Sequence, residues 1–319
     1  MASLQELKRQ FLEHCELEKG RAVLTIENYD RYISRFLDYL AENNSGAELT
    51  PANITQEIVR KYRLHVNRLT DQEGLELKLI TQNYHILALR AFLRYLSWRG
   101  IETLAPEKVP VAKTGDREIS FLGGEEVSGI LEKPDTTKVT GLRDRAILEV
   151  LFSTGMRVSE LAALDTSDIN FDRGEISVLG KGKKIRVVFL SDSAVYWIDQ
   201  YDKNKGHRGG EAERPEAPTL RHSDTPTLDP LLLSPKGERL TVRSIERIVK
   251  KYAGLAGITK KCTPHTLRHS FATDLLINGA DIRSVQSMLG HSSITTTQIY
   301  THVTDQHLRE VHQKFHGKK

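Results

Sequence analysis

Apolar residues recur at helical spacing through the first hundred positions. Leu4, Leu7, Phe11 and Cys15 form one stripe, opened by the capping pair Ser3 and Glu6 and finished by Gly20. Ile26, Tyr29, Ile33, Phe36, Leu37 and Leu40 form a second, ended by the Asn43-Asn44-Ser45-Gly46 run. A third carries Ile54, Ile58, Tyr62 and Leu69, and a fourth runs over about residues 79–98 with Gly100 as its stop. Four amphipathic helices with short connections predict a small helical bundle over residues 1–103. Residues 104–118 hold Pro106, Pro110 and Gly115 among charges without apolar periodicity, the pattern of a linker.

A second domain is expected from residue 119 to the end. Helical patterns cover residues 125–131, 142–152 and 157–164. The β signal is Glu175-Ile-Ser-Val-Leu179, a Gly180-Lys181-Gly182 turn, and Ile185-Arg-Val-Val-Phe-Leu190. Alternation there predicts a hairpin with Ile176, Val178, Ile185, Val187 and Phe189 on the buried face. Residues 203–230 are rich in Gly, Pro, Ser, Thr and charge and read as a surface loop. Helical pattern returns at residues 242–256. The fold class expected is mainly α, with a small β-hairpin in the second domain.

At 319 residues the chain can bury two cores, and 39% hydrophobic with 28% charged residues is ordinary for a globular protein. No apolar run is long enough to cross a bilayer and the first residues lack a signal-peptide core, so a cytoplasmic protein without a membrane partner is expected. Cys15 and Cys262 have no metal-type spacing and read as reduced thiols. A net charge of +4 admits nucleic acid as a partner without pointing to it. Lys8, Arg9, Arg31, Arg35, Arg60, Lys61, Arg63, Arg90 and Arg94 on the N-terminal helices fit a solvated face and a DNA-contacting face equally well.

The chemistry-bearing strings lie in the second domain. In Thr263-Pro-His265-Thr-Leu-Arg268-His269, Pro264 suits a first helical turn, and His265 and Arg268, three apart, project from one face. Gly290 can end a short helix at His291, and Tyr300 follows nine positions later. Upstream, Ser153-Thr-Gly155-Met-Arg157-Val-Ser-Glu160-Leu places an arginine after a glycine turn; a surface arginine at a helix end is the plain alternative. The Gly180-Lys181-Gly182 turn lacks the Ser/Thr of a nucleotide-binding loop. Spacing alone leaves convergence of these residues open, since core histidines and partly buried tyrosines are common.

The strings STGMRVSEL, GKGKKIRVV, TPHTLRHSFAT and LGHSSITTTQIYTH, in that order, resemble the boxes of the tyrosine recombinase (phage integrase) family, most of all its Xer-type members. The resemblance covers nearly the whole chain. It implies a SAM-like N-terminal core-binding domain, a DNA breaking-rejoining catalytic domain and a final helix that docks on a neighbouring protomer. It implies Arg157 and Arg268 as phosphate-clamping arginines, Glu160 as support for the first, Lys181 as the hairpin lysine, His265 and His291 as the active-site histidines, and Tyr300 as the nucleophile. The partner implied is double-stranded DNA carrying a specific site, bound by a homotetramer or by a heterotetramer with a paralogous recombinase. No cofactor is expected: Cys262, His265 and His269 lack a fourth ligand for a metal. The residue 203–230 loop is longer than in compact Xer-type members. A topoisomerase-like relaxase of the same tyrosyl chemistry, a mobile-element integrase and a non-catalytic DNA-binding protein are the alternatives.

Overall fold

A computed structural model describes residues 2–43, 50–71, 74–115, 120–180, 185–205 and 229–290. The chain divides into two units, Met1–Arg117 and Glu118–Lys319.

The N-terminal unit is built from four helices, α1 (Leu4–Leu17), α2 (Val23–Asn43), α3 (Gln56–Asn67) and α4 (Leu79–Trp98). The apolar period and the caps explain them. Ser3 accepts a hydrogen bond from the Glu6 amide, Thr55 accepts one from the Ile58 amide, and Gly100 turns the chain at φ +72°. Ile33, Phe36, Tyr62, Leu89, Phe92, Leu93 and Leu96 lie at the centre of the core. Ile54, grouped with the third helix by periodicity, is buried but precedes that helix, which begins after Thr55. The stretch read as a linker starts packed on this unit: Val109 is fully buried, and the Asn83 side chain exchanges hydrogen bonds of 2.9 and 3.2 Å with the Ala112 backbone. Of the basic residues on these helices, Lys8, Arg9 and Arg60 sit in ion pairs with Asp30, Glu6 and Glu57.

The C-terminal unit is organised around α6 (Val139–Thr154), which buries residues around most of its circumference, the charged Arg143, Asp144 and Glu149 among them, and so has no single apolar stripe. Against it pack α5 (Gly124–Leu131), α8 (Asp192–Asn204), α9 (Val242–Leu255) and α10 (Pro264–Ile277). The short helices α7 (Val158–Ala163) and α11 (Ile282–Leu289) complete it. Asp144, buried in α6, accepts two hydrogen bonds from Arg143 and one of 2.9 Å from the Tyr252 hydroxyl, so its charge is matched by partners.

The sheet has three antiparallel strands in the order β1-β2-β3: β1 (Ile169–Asn170), β2 (Glu175–Leu179) and β3 (Ile185–Phe189). Its register corrects the expected face of β3. Ile176 pairs with Val188 and Val178 with Arg186, so Val188 and Arg186 face inward beside buried Ile176 and Val178. Ile185, Val187 and Phe189 point outward and are 72%, 47% and 56% exposed. Strand side chains alternate faces, so one inward residue fixes the rest. The loop expected from residue 203 starts later, because α8 runs to Asn204; residues 206–228 lie outside the described residues. Among the described residues no helix is long and apolar enough to cross a membrane.

Candidate active site

Two left-handed glycines set the geometry. Gly155 (φ +58°) ends α6, and Gly290 (φ +64°) ends α11. Both conformations favour glycine, and at Gly155 an added Cβ would lie 2.3 Å from the Phe271 ring. The turn at Gly155 leads through Met156 to Arg157, which occupies the extended N-cap position of α7.

Arg268 reaches this turn from α10. Pro264 sits in the first turn of that helix, Thr263 caps it, and the Arg268 side chain is buried. Its Nη1 donates to the Gly155 carbonyl at 2.6 Å and its Nη2 to the Leu289 carbonyl at 2.6 Å. Both carbonyls are at helix C-termini, where backbone acceptors lack intrahelical partners and the helix dipole favours a cation. Arg157 Nη2 donates at 3.4 Å to the next carbonyl, that of Gly290, while a third of the Arg157 side chain stays open to solvent. The two arginines thus converge on adjacent carbonyls of one loop, although they are separated by 111 positions (268 − 157) in the sequence.

Glu160 holds the first arginine in place. Its carboxylate accepts from the Arg157 amide (2.7 Å) and Arg157 Nη1 (2.9 Å), and from Arg186 Nη1 (2.9 Å) and Nη2 (2.7 Å). Burial alone would raise the Glu160 pKa, but the hydrogen bonds and charge of Arg186 and Arg157 outweigh it and leave the pKa below the usual carboxylate value. Glu160 is therefore charged at neutral pH.

His265 sits on the first turn of α10 and is exposed. Partial desolvation of its ring, with the nearby charges of Arg268 and Arg157, lowers its pKa and favours a neutral imidazole. Cys262 is buried and its thiol is pushed up to about 11 by burial and the charge of Glu126, which makes it an inert core residue. Among the described residues no group of three His, Cys, Asp or Glu is placed to hold a metal ion.

Of the residues singled out in the sequence, Arg157, Glu160, His265 and Arg268 are brought together. Lys181, His291 and Tyr300 lie outside the described residues. Arg186 was given no role by the sequence reading. Its acidic partner is 26 positions away (186 − 160) and it stands between two apolar strand residues, so the available signal was an arginine on the strand face that packs inward. The part-exposed Arg157 guanidinium and the exposed His265 imidazole, beside buried Arg268, are cationic and hydrogen-bonding groups of the kind that suit the oxygens of a phosphodiester.

Comparison with known proteins agrees with that chemistry. Residues 120–307 match the Phage integrase family, and residues 9–100 match the Phage integrase, N-terminal SAM-like domain. Tyrosine recombinase XerC of Pelobacter propionicus is 35% identical over 100% of this chain and 97% of its own length. Tyrosine recombinase XerD of Staphylococcus epidermidis is 37% identical over 97% of this chain and 98% of its own. Among solved structures, the XerH site-specific recombinase in a post-cleavage complex with a palindromic difH substrate shares the fold. Its TM-score is 0.68 at 24% identity, covering 95% of this chain and 83% of that one. The chain belongs to the phage integrase family, the tyrosine recombinases, enzymes that cleave and rejoin DNA at specific sites. Within that family it is of the Xer type, as both full-length relatives are.

Proposed function

We propose that the chain exchanges strands between two copies of a specific duplex site, with Tyr300 as nucleophile. The phenol oxygen attacks the scissile phosphorus, the bond from phosphorus to the 5′-oxygen breaks, and a 3′-phosphotyrosyl link replaces it. The phenol proton is lost and the departing 5′-oxygen gains one. Tyrosine has a pKa near ~10, so cations that stabilise the phenolate and the phosphoryl oxygens supply most of the activation. Arg157 and Arg268 fill that role, with Glu160 holding the first. Lys181 protonates the leaving oxygen, His265 assists as acid or base, and His291 donates a hydrogen bond to the phosphate. The covalent link conserves the phosphodiester bond energy, so religation needs no nucleotide.

The observation that supports this reading is the convergence of the Arg157 and Arg268 guanidiniums on the adjacent Gly290 and Leu289 carbonyls, with His265 beside them. XerH in complex with difH supports duplex DNA as the partner. A lambda integrase tetramer on a Holliday junction has the same fold, which supports sequential exchange within a tetramer of this chain or of this chain and a paralogue. Such an enzyme would work in the cytoplasm, resolving chromosome or plasmid dimers.

The test starts from a duplex selected by the full chain from a random-sequence pool, then nicked beside the cleavage point so that the released strand cannot religate. Wild type is expected to form a detergent-stable adduct that Tyr300→Phe does not, and to exchange strands between plasmids carrying the site. Absence of any wild-type adduct would refute the reading. Relaxation of supercoils without exchange would favour the topoisomerase-like alternative.

A further inference from the structure

The inward guanidinium of Arg186 has no part in the roles set out above, yet it links three of the strings that carry them. It lies on β3, five positions after Lys181 in the sequence (186 − 181). Its Nη1 and Nη2 make a two-pronged bond to Glu160 at 2.9 and 2.7 Å. Its Cδ and Nε lie against Gly290, where an added Cβ would be 3.1 Å from both. Gly290 therefore turns the chain before His291 and also leaves room for Arg186. Burial of a guanidinium is costly, and here its Nε is buried without a hydrogen-bond partner among the described residues. A side chain serving only to fill the core would not need that charge.

The charge has a specific effect. Glu160 alone would cancel Arg157 and leave a neutral pair facing the phosphate. With Arg186 present the three groups sum to +1, and the outward part of that charge is on Arg157, the partner with a third of its side chain exposed. The Arg186 fork also fixes both oxygens of the carboxylate, which fixes the plane in which Arg157 is held.

We infer that Arg186 is a positioning residue for DNA cleavage: docked from β3, it offsets the charge of Glu160 and orients its carboxylate, so that the cluster stays net positive and Arg157 keeps its direction for the scissile phosphate. The inference rests on the recombinase reading above and adds a residue to it. It makes the seating of β3 a condition for a correctly held Arg157, since β3 carries Arg186.

The experiment compares wild type with Arg186→Gln, Arg186→Lys, Glu160→Gln and the double variant Glu160→Gln/Arg186→Gln on the selected nicked duplex. Duplex affinity and the single-turnover rate of adduct formation are both measured. Arg186→Gln is expected to bind normally and to form adduct about a hundredfold more slowly, the scale of a misplaced catalytic group. Arg186→Lys, which keeps the charge without the fork, falls between. The double variant restores the +1 sum and is expected to cleave at least as fast as Arg186→Gln. Independent structural losses would instead add. An Arg186→Gln rate within about threefold of wild type, or a double variant slowed by the product of the two single losses, overturns the inference. A fall in binding matching the fall in rate also overturns it, by making Arg186 a DNA contact. Should Arg186→Gln not fold, Arg186→Lys carries the test, and a loss below about threefold overturns the proposal. Absence of adduct from wild type is a separate result that defeats the recombinase reading itself and this inference with it.

Discussion

Gly155→Ala tests the geometry of the active site most directly. The residue has φ +58°, which costs a residue with a side chain about 1–2 kcal/mol. The new Cβ would lie 2.3, 2.9 and 3.1 Å from Phe271 Cδ1, Cε1 and Cγ, so the whole ring must move, at about 1–3 kcal/mol for an overpacked site. The expected loss of stability is their sum, about 2–5 kcal/mol. The Gly155 carbonyl is also the 2.6 Å acceptor for Arg268, and Arg157 is two residues on, so the same shift displaces both guanidiniums. Adduct formation by the folded variant should fall about a hundredfold. Urea unfolding of the full chain gives the first number and single-turnover cleavage of the nicked duplex the second. Gly100→Ala is the control: it has φ +72° with nothing within 4 Å of an added Cβ, so it should cost only the backbone strain. In a Phe271→Ala background, compared with Phe271→Ala alone, Gly155→Ala should lose the clash and cost only the strain. Equal losses from Gly155→Ala and Gly100→Ala, with unchanged cleavage, would refute the reasoning.

Three further outcomes follow from particular contacts. Arg268→Lys keeps a cation but cannot serve the Gly155 and Leu289 carbonyls together; it should cost about 1–3 kcal/mol in urea unfolding and lower cleavage at least about a hundredfold with duplex affinity retained, and cleavage within tenfold of wild type would count against it. Asp144→Ala leaves buried Arg143 without its carboxylate, with only the Leu233 carbonyl as acceptor among the described residues, and takes the acceptor from the Tyr252 hydroxyl; it should destabilise by about 3–5 kcal/mol, while cleavage per folded molecule stays unchanged, and a loss under about 1 kcal/mol would show that the pair is not desolvated. His85, buried in α4 beside Arg35, has its pKa lowered from 6.5 to about 4 by burial, then by the charges of Arg35, Arg31 and His65. The unfolded chain therefore takes up this proton first as pH falls. The stability is fully present above about 6.5 and is lost towards pH 4, by about 3 kcal/mol. Urea unfolding from pH 7 to 4 should show this extra slope in wild type but not in His85→Gln, and identical slopes would contradict the assignment.

The helices were legible where a single physical rule decides them. The fourth was read as it stands, Leu79–Trp98, because its apolar period and Gly100 agree, and the Gly290 stop and Pro264 start followed from backbone preferences. α8 was missed because its buried residues, Ala194, Ile198 and Tyr201, are sparse and its start depends on Ser191 bonding the Ala194 amide. The two-residue β1 carries too little pattern to be read at all.

The error on β3 has the same origin as the missed Arg186. A strand offers two alternating faces, and hydrophobicity chose Ile185, Val187 and Phe189 over a face holding only Val188 and an arginine. That choice assumes a guanidinium cannot be buried. It can be when a carboxylate awaits it, and the carboxylate here is Glu160, on an element 26 positions earlier. Arg157, Glu160, His265 and Arg268 could be singled out because each stands in a local string; Arg186 depends on a pairing between strings, which no local pattern encodes. The observed face buries Val188 and turns Arg186 inward beside Ile176 and Val178, against the hydrophobic preference of the strand itself. A strand that leaves three large apolar side chains exposed gains in exchange the two-pronged Arg186–Glu160 ion pair beside Arg157.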